Sequence, residues 1–309
     1  MRIVFLGSGA FAVPSLRALV EGGHEVAAVV TQPDREKGRG RVVQPPPVKP
    51  AAQELGLRVL QPPKIRAPEA IDALRALAPE LQVVVAYGQI LPRAVIDIAP
   101  RGTVNVHSSL LPRYRGAAPI HWAVVNGDAE TGVTTMLIDE GLDTGPMLLS
   151  RATPIGPEET TPELERRLAA LGGAVLLETL DGLAQGTLRP VPQDHAAATL
   201  APLLEKDDGR IDWSQAAGTI ARRVRGLQPW PGTATTHGGR DVKILRARVE
   251  APRDAAPGRV EAVDGDGFVV GCGGGTALRV LEVQPESRRA MPAAAFAAGA
   301  RLAAGERLG

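Results

Sequence analysis

The sequence predicts an α/β fold with a mostly parallel sheet, followed by a small antiparallel β-barrel. Three observations carry this. Short apolar, β-branched runs alternate with helical segments as far as about residue 185. Those runs are apolar throughout rather than every second residue, as in strands covered on both faces. Beyond Trp213 the texture becomes short strands separated by Gly and Asp turns, the pattern of a small barrel.

Residues 2–6 (RIVFL) read as a buried strand, after which Gly7, Gly9 and Pro14 open a helix that runs to about Glu21 and stops at Gly22 and Gly23. EVAAVVT, from Glu25, is the second strand. After a basic loop the pattern predicts a helix at 49–55, a short strand at 58–60 and a helix at 68–77. LQVVVAY (81–87) and GTVNVH (102–107) are two further strands. A helix is expected at about 118–126, strands at 131–138 and 146–155, and a long amphipathic helix over 160–184. The stretch 186–212 loses this rhythm, and a helix at 214–226 precedes the barrel strands. The domain expectation is a Rossmann-like domain over 1–188, a linker over 189–208 and an OB-like barrel over 209–309.

With 309 residues, 44% hydrophobic and 22% charged, the chain has the balance of a soluble globular protein. The N-terminal apolar run is about five residues long before Gly7, shorter than the roughly 7–15 of a secretion signal. No apolar run approaches the roughly 20 residues that span a bilayer. The single cysteine, Cys272, has no internal partner, which suits a reducing compartment. The expected location is the cytoplasm, with no membrane partner.

Net charge is +1 and argues neither for nor against a polyanion. Locally, Pro33 to Lys49 holds Arg35, Lys37, Arg39, Arg41 and Lys49 against only Asp34 and Glu36. Aromatic residues make up 3% of the chain, so any nucleic-acid contact relies on cations more than on stacking. Trp213 and Trp230 read as packing anchors between the domains, and His121, in a helix beside Trp122, as a packed histidine.

GSGAFA (7–12) fits the dinucleotide fingerprint. It lacks a well-placed acid after the second strand, where Asp34 lies beyond Pro33 in the basic loop, and a tight strand–helix turn explains it equally well. No NAD(P) is expected. The five histidines are scattered, with no H-x-x-x-H or C-x-x-C spacing, so no metal is expected either.

VNVHSSLLPRYRG (104–116) is different. A strand end carries Asn105, His107, Ser108 and Ser109, which either cap a loop or do chemistry. Asn105 and His107 are two apart and share a face of the strand. LIDEGLDTGPML (137–148) adds Asp139, Glu140 and Asp143 in a Gly-rich loop after another strand. An acid beside an imidazole stabilises its charged form, and an amide can donate to an oxyanion. Together these groups suit acyl transfer. No G-x-S-x-G elbow or well-placed Cys offers a nucleophile, so direct transfer between two bound substrates fits best.

Asn105–Leu148 closely resembles the signature block of the folate-dependent formyltransferases. Likeness continues through FLGSGAFAVPSL, TQPDREKGRG, AYGQILP (86–92), APLLEKDDGRIDW (201–213) and RGLQPWPGT (225–233). These flanking blocks resemble the members that act on initiator methionyl-tRNA. The resemblance implies transfer of a formyl group from 10-formyltetrahydrofolate to the α-amino group of the tRNA-borne methionine, by direct amine attack through a tetrahedral intermediate. By position, Asn105, His107 and Asp143 match the family's catalytic trio. Ser109, Leu110, Leu111 and Pro112 match its folate-contacting segment, and Ala86, Tyr87, Gly88, Gln89, Ile90 and Leu91 would line the pterin pocket. Arg39, with Lys37 and Arg41, matches its tRNA-facing loop; Lys206, Arg222 and Arg225 are further tRNA candidates. The expected assembly is a monomer, with residues 1–188 as the formyl-transfer domain and 209–309 as the tRNA-binding barrel.

Overall fold

The computed structural model describes residues 1–37, 42–252 and 255–309, with Lys37 by its backbone only. The chain divides into two compact units. One comprises Met1–Gly116, Thr131–Thr153 and Glu165–Ala201; the other comprises Ala117–Glu130, Pro154–Leu164 and Pro202–Gly309.

The first stretch runs β1 (Arg2–Gly7), α1 (Ala12–Glu21), β2 (Glu25–Val30), β3 (Arg35–Lys37), β4 (Val42–Gln44), α2 (Val48–Glu54) and β5 (Val59–Leu60). It continues with α3 (Pro68–Arg75), β6 (Leu81–Val85), α4 (Arg93–Ile96), β7 (Thr103–His107) and β8 (Arg115–Gly116). After α5 (Pro119–Asn126) come β9 (Glu130–Leu137), β10 (Met147–Pro154), α6 (Thr161–Gln185) and β11 (Leu200–Ala201).

The central sheet of the first unit has the order β10-β9-β7-β6-β1-β2-β5. β5, β2, β1, β6 and β7 are parallel, and β9 runs antiparallel to β7. The chain winds outward from β1 to β5, then crosses back to lay β6 and β7 on the other side. That reversal puts the switch point between β1 and β6, where open α/β sheets have their crevice. The continuous apolar runs follow from double coverage: Ile3, Val4, Phe5 and Leu6 are all fully buried. On one face Val4, Leu6, Val30 and Val84 pack with Ile65, Leu74 and Val95. Pro68 opens α3 at its first turn, where a missing N–H does no harm.

α6 is long and apolar enough to cross a bilayer by length and composition. Its pattern is nonetheless that of a packed amphipathic helix. Leu168, Val175, Leu176 and Leu180 are buried, while Arg166, Glu178 and Asp181 face out.

In the second unit α5 packs on α7 (Ala217–Gly226). The sheet is antiparallel: β12 (Thr233–His237), β13 (Arg240–Glu250), β14 (Val260–Asp264), β15 (Gly267–Cys272), β16 (Thr276–Pro285) and β17 (Met291–Pro292), followed by α8 (Ala293–Ala300). Its order is β12-β13-β16-β15-β14, with β17 on β16. Ile220, Val224, Val242, Phe268, Val280 and Phe296 form its core. Trp213 is buried there and donates its indole N–H to Thr235 Oγ1 at 3.0 Å. Trp213 thus packs within the second unit's own core and Trp230 is 53% exposed, so neither is seen in the role of an anchor between domains.

Candidate active site

β7 lies between β6 and β9, with Asn105 paired to Val84 on one side and Met136 on the other. Val104 and Val106 are buried on one face. Asn105 and His107 alternate onto the opposite face, as the period of a strand dictates. His107, at the carboxyl end of β7, is 6% exposed.

His107 and Asp143 come together there. Nδ1 of His107 lies 3.6 Å from Oδ2 of Asp143. Nε2 is 2.9 Å from the carbonyl of Tyr114. A carbonyl only accepts, so Nε2 carries a hydrogen, and Nδ1 is the ring nitrogen turned to Asp143. A proton gained at Nδ1 faces the carboxylate.

The Asp143 carboxylate is held as well: Gly116 donates its N–H to Oδ2 at 2.9 Å. Gly116 has φ +117°, and a Cβ there would sit 2.8 Å from the carbonyl of Ala201, across the β8–β11 pairing. Asp143 itself is left-handed, with φ +52°, a region that Asp tolerates better than most residues.

The other acids of this loop do different work. Asp139 Oδ1 accepts from the N–H of Gly141 at 3.0 Å and the hydroxyl of Thr144 at 2.6 Å, which folds the loop on itself. Glu140 is exposed. Asn105 is half-buried, and its amide makes no hydrogen bond to a described residue, which leaves it available to a ligand.

Ser109 is fully buried and donates to the carbonyl of Arg113 at 2.6 Å. Its own carbonyl accepts from Thr134 Oγ1 at 2.8 Å, and the Leu111 N–H reaches that same hydroxyl at 3.2 Å. Leu110 is half-buried, as is Pro112, whose carbonyl accepts from the Thr199 N–H. The 109–112 turn is thus internally bonded, with no free hydroxyl at Ser109.

The 86–91 segment follows β6 at the switch point. The carbonyl of Ala86 accepts from the N–H groups of both Ser8 and Gly9 at 3.2 and 3.4 Å, so the GSGAFA amides turn toward the chain itself. Tyr87 is buried, and its carbonyl accepts from Ser8 Oγ and Gln32 Nε2. Gln89 is tied to Ile65 by its side chain. The main-chain groups of Gly88, Gln89, Ile90 and Leu91 make no hydrogen bond to a described residue, and the Ile90 side chain is 94% exposed. Unpaired donors and acceptors beside an apolar side chain are what a heterocycle with a polar edge requires. A cavity of about 340 Å³ lies elsewhere, lined by Val30, Leu60, Pro63 and Leu74 on the β2–β5 side of the sheet.

In the basic loop Lys49 pairs with Asp34 at 2.8 Å, and Arg35 donates to Gln32. The loop's Arg39 and Arg41, and the side chain of Lys37, lie outside the described residues. In the second unit Lys206 is exposed. Arg222 donates to the Val125 carbonyl and Thr219 Oγ1, and Arg225 to the Glu159 carbonyl. Both arginines are half-buried and engaged within that unit. Among the described residues no three His, Cys, Asp or Glu side chains converge as metal ligands.

Three contributors escaped the sequence reading. Tyr114 and Gly116 act through main-chain atoms, which no residue type announces. Gln193, in the stretch read as linker, is buried and donates to the carbonyls of Asp143 and Gly145. Its only signal was a polar residue inside a segment without periodicity.

Residues 1–180 match the family model described as formyl transferase, and 203–301 match that of the formyl transferase C-terminal domain. The chain is 56% identical over 310 residues to a methionyl-tRNA formyltransferase of Solibacter usitatus, covering 100% of this chain and 99% of that protein. It is 51% identical over 309 residues to that of Geobacter sulfurreducens, covering 100% and 97%. Among solved structures it resembles HypX from Aquifex aeolicus in complex with tetrahydrofolic acid, with TM-score 0.67, 22% identity, and 99% of this chain and 48% of that one covered. It also resembles an N-formyltransferase from Helicobacter canadensis in complex with folinic acid and dTDP-3-aminofucose, with TM-score 0.68, 16% identity and 92% and 98% covered.

Proposed function

Because the chain belongs to the formyl transferase family, we propose that it moves the formyl group of 10-formyltetrahydrofolate to the α-amino group of methionine on initiator methionyl-tRNA, for translation initiation. The observation that carries this is the approach of His107 Nδ1 to Asp143 Oδ2 at 3.6 Å, on the strand whose same face bears Asn105. Identity above one half over the full length of a methionyl-tRNA formyltransferase supports the tRNA substrate.

When bound, the folate supplies the formyl carbon that the methionine amine attacks to give a tetrahedral centre. Asn105 donates its amide N–H to the developing oxyanion, and His107, protonated at Nδ1, adds positive charge beside it. Asp143 stabilises that charge and helps move the proton from the amine toward N10 of the folate; the tetrahedral centre then collapses, its bond to N10 breaks as N10 is protonated, and tetrahydrofolate and the formylated amine are released. Tyr114 fixes the ring by accepting from Nε2. Each such contribution is typically about 10²–10⁴ in rate.

The main chain of Gly88 to Leu91 fits a pterin edge, with Ala86 and Tyr87 shaping its approach and Ser109 to Pro112 forming the floor. Lys37, Arg39, Arg41 and Lys206 contact the tRNA, and Arg222 and Arg225 present their remaining donors to it. Residues 1–188 hold the transfer site and 209–309 the tRNA-binding domain, in a cytoplasmic monomer.

The test is direct. The purified protein is incubated with 10-formyltetrahydrofolate and charged initiator tRNA, and the product is analysed for N-formylmethionine. Formylation of the charged tRNA is expected. Absence of product, or equal formylation of free methionine, removes the assignment.

A further inference from the structure

Gln193 is 5% exposed, and its amide uses all of its hydrogen-bonding capacity. Nε2 donates to the carbonyl of Asp143 at 2.8 Å and of Gly145 at 2.7 Å. Oε1 accepts from Nε and Nη2 of Arg115 at 3.0 and 2.7 Å. The orientation is unique, because a flipped amide would set donors against donors and oxygen against two carbonyls.

The neighbouring chain is laced in the same way. Val191 and Met147 exchange both main-chain hydrogen bonds at 2.8 Å. Arg115 is 6% exposed, with no carboxylate partner among the described residues. It holds Gln193 and reaches His195 Nδ1 at 3.2 Å. The next residue, Gly116, grips the Asp143 carboxylate. One residue is therefore fixed at both ends: its carboxylate by Gly116 and its carbonyl by Gln193, with Arg115 joining the two anchors.

We infer that Gln193 is a positioning residue for formyl transfer, holding the Asp143 loop where the carboxylate meets Nδ1 of His107. The inference rests on the reading that His107 and Asp143 carry the chemistry. Its physical basis is the left-handed backbone of Asp143, which persists only where surrounding bonds over-determine it. Released from Gln193, the loop relaxes and the acid drifts. A misplacement of about 1 Å lowers turnover on the order of 10²-fold.

The experiment compares steady-state kinetics of Gln193→Ala, Gln193→Glu, Asp143→Ala and the two doubles in the full chain, with unfolding curves for each. Gln193→Glu keeps an acceptor for Arg115 but sets a carboxylate against two carbonyls. It carries the test even where Gln193→Ala does not fold. Both Gln193 single variants are expected to lose about 10- to 100-fold in kcat, with KM for either substrate changed less than about threefold. In the Asp143→Ala background neither change lowers kcat further, because Gln193 acts through Asp143. Wild-type kcat in Gln193→Glu, or the same loss with and without Asp143, overturns the Gln193 assignment alone. Wild-type turnover in Asp143→Ala overturns the catalytic reading itself.

Discussion

The N–H of Gly116 donates to Oδ2 of Asp143, the same oxygen that faces Nδ1 of His107. A main-chain donor thus orients the acid without neutralising it, and the carboxylate stays available to the imidazole.

Replacing Asp143 by Asn keeps an acceptor for Gly116 but removes the charge. Turnover is expected to fall at least about 10²-fold, with the unfolding midpoint little changed. Asn105→Ala is expected to lose as much through the oxyanion contact. His107→Ala should abolish turnover while leaving tRNA affinity intact, measured by filter binding.

Gly116→Ala places a Cβ 2.8 Å from the Ala201 carbonyl on a backbone with φ +117°. The expected loss is about 1–3 kcal/mol in denaturant unfolding, together with slower turnover. Unaltered stability would mean that this corner yields more than its geometry implies.

Arg39→Ala is expected to weaken the tRNA-dependent step and to reduce the slope of log affinity against log salt by about 0.7–0.9. An unchanged slope removes the basic loop from the tRNA contacts.

Burial pushes the Cys272 thiol up to about 11. At pH 8 about one molecule in a thousand then carries the thiolate. The folded protein is expected to resist a disulfide reagent at pH 8 and to react in full once unfolded. Fast labelling of the native state would contradict its burial.

Burial also holds His121 below the ordinary histidine value of 6.5. The unfolded chain therefore binds its proton first, so this group's contribution to stability is full above about pH 6.5 and declines as pH falls through that value. His121→Gln is expected to flatten the decline between about pH 7 and 5 in denaturant midpoints.

Much of the first unit is legible in sequence because doubly covered strands must be apolar throughout, as RIVFL and LQVVV are. The pairing of Asn105 with His107 follows from the period of a strand alone. Which acid of Asp139, Glu140 and Asp143 serves the imidazole does not, since the loop's path depends on Thr144, Gly116 and Gln193. Arg222 and Arg225 show the converse: their spacing suggests a shared outward face, while tertiary packing turns both toward carbonyls of their own unit. Gln193 was hidden because a buried polar clamp leaves no periodic trace.

β9 runs against β7, so the chain stands at the wrong end of β7 just before it delivers Asp143. Ile138 reaches the Thr103 carbonyl at the start of that strand, while Asp143 lies beside His107 at its finish. Five residues of chain lead from Ile138 to Asp143, and Asp139 closes them on themselves through Gly141 and Thr144. The intervening segment is a closed loop of set length, from which the acid reaches the imidazole by its side chain. Shortening it would part acid from base while leaving every reacting side chain in the gene, so its length counts as much as its composition.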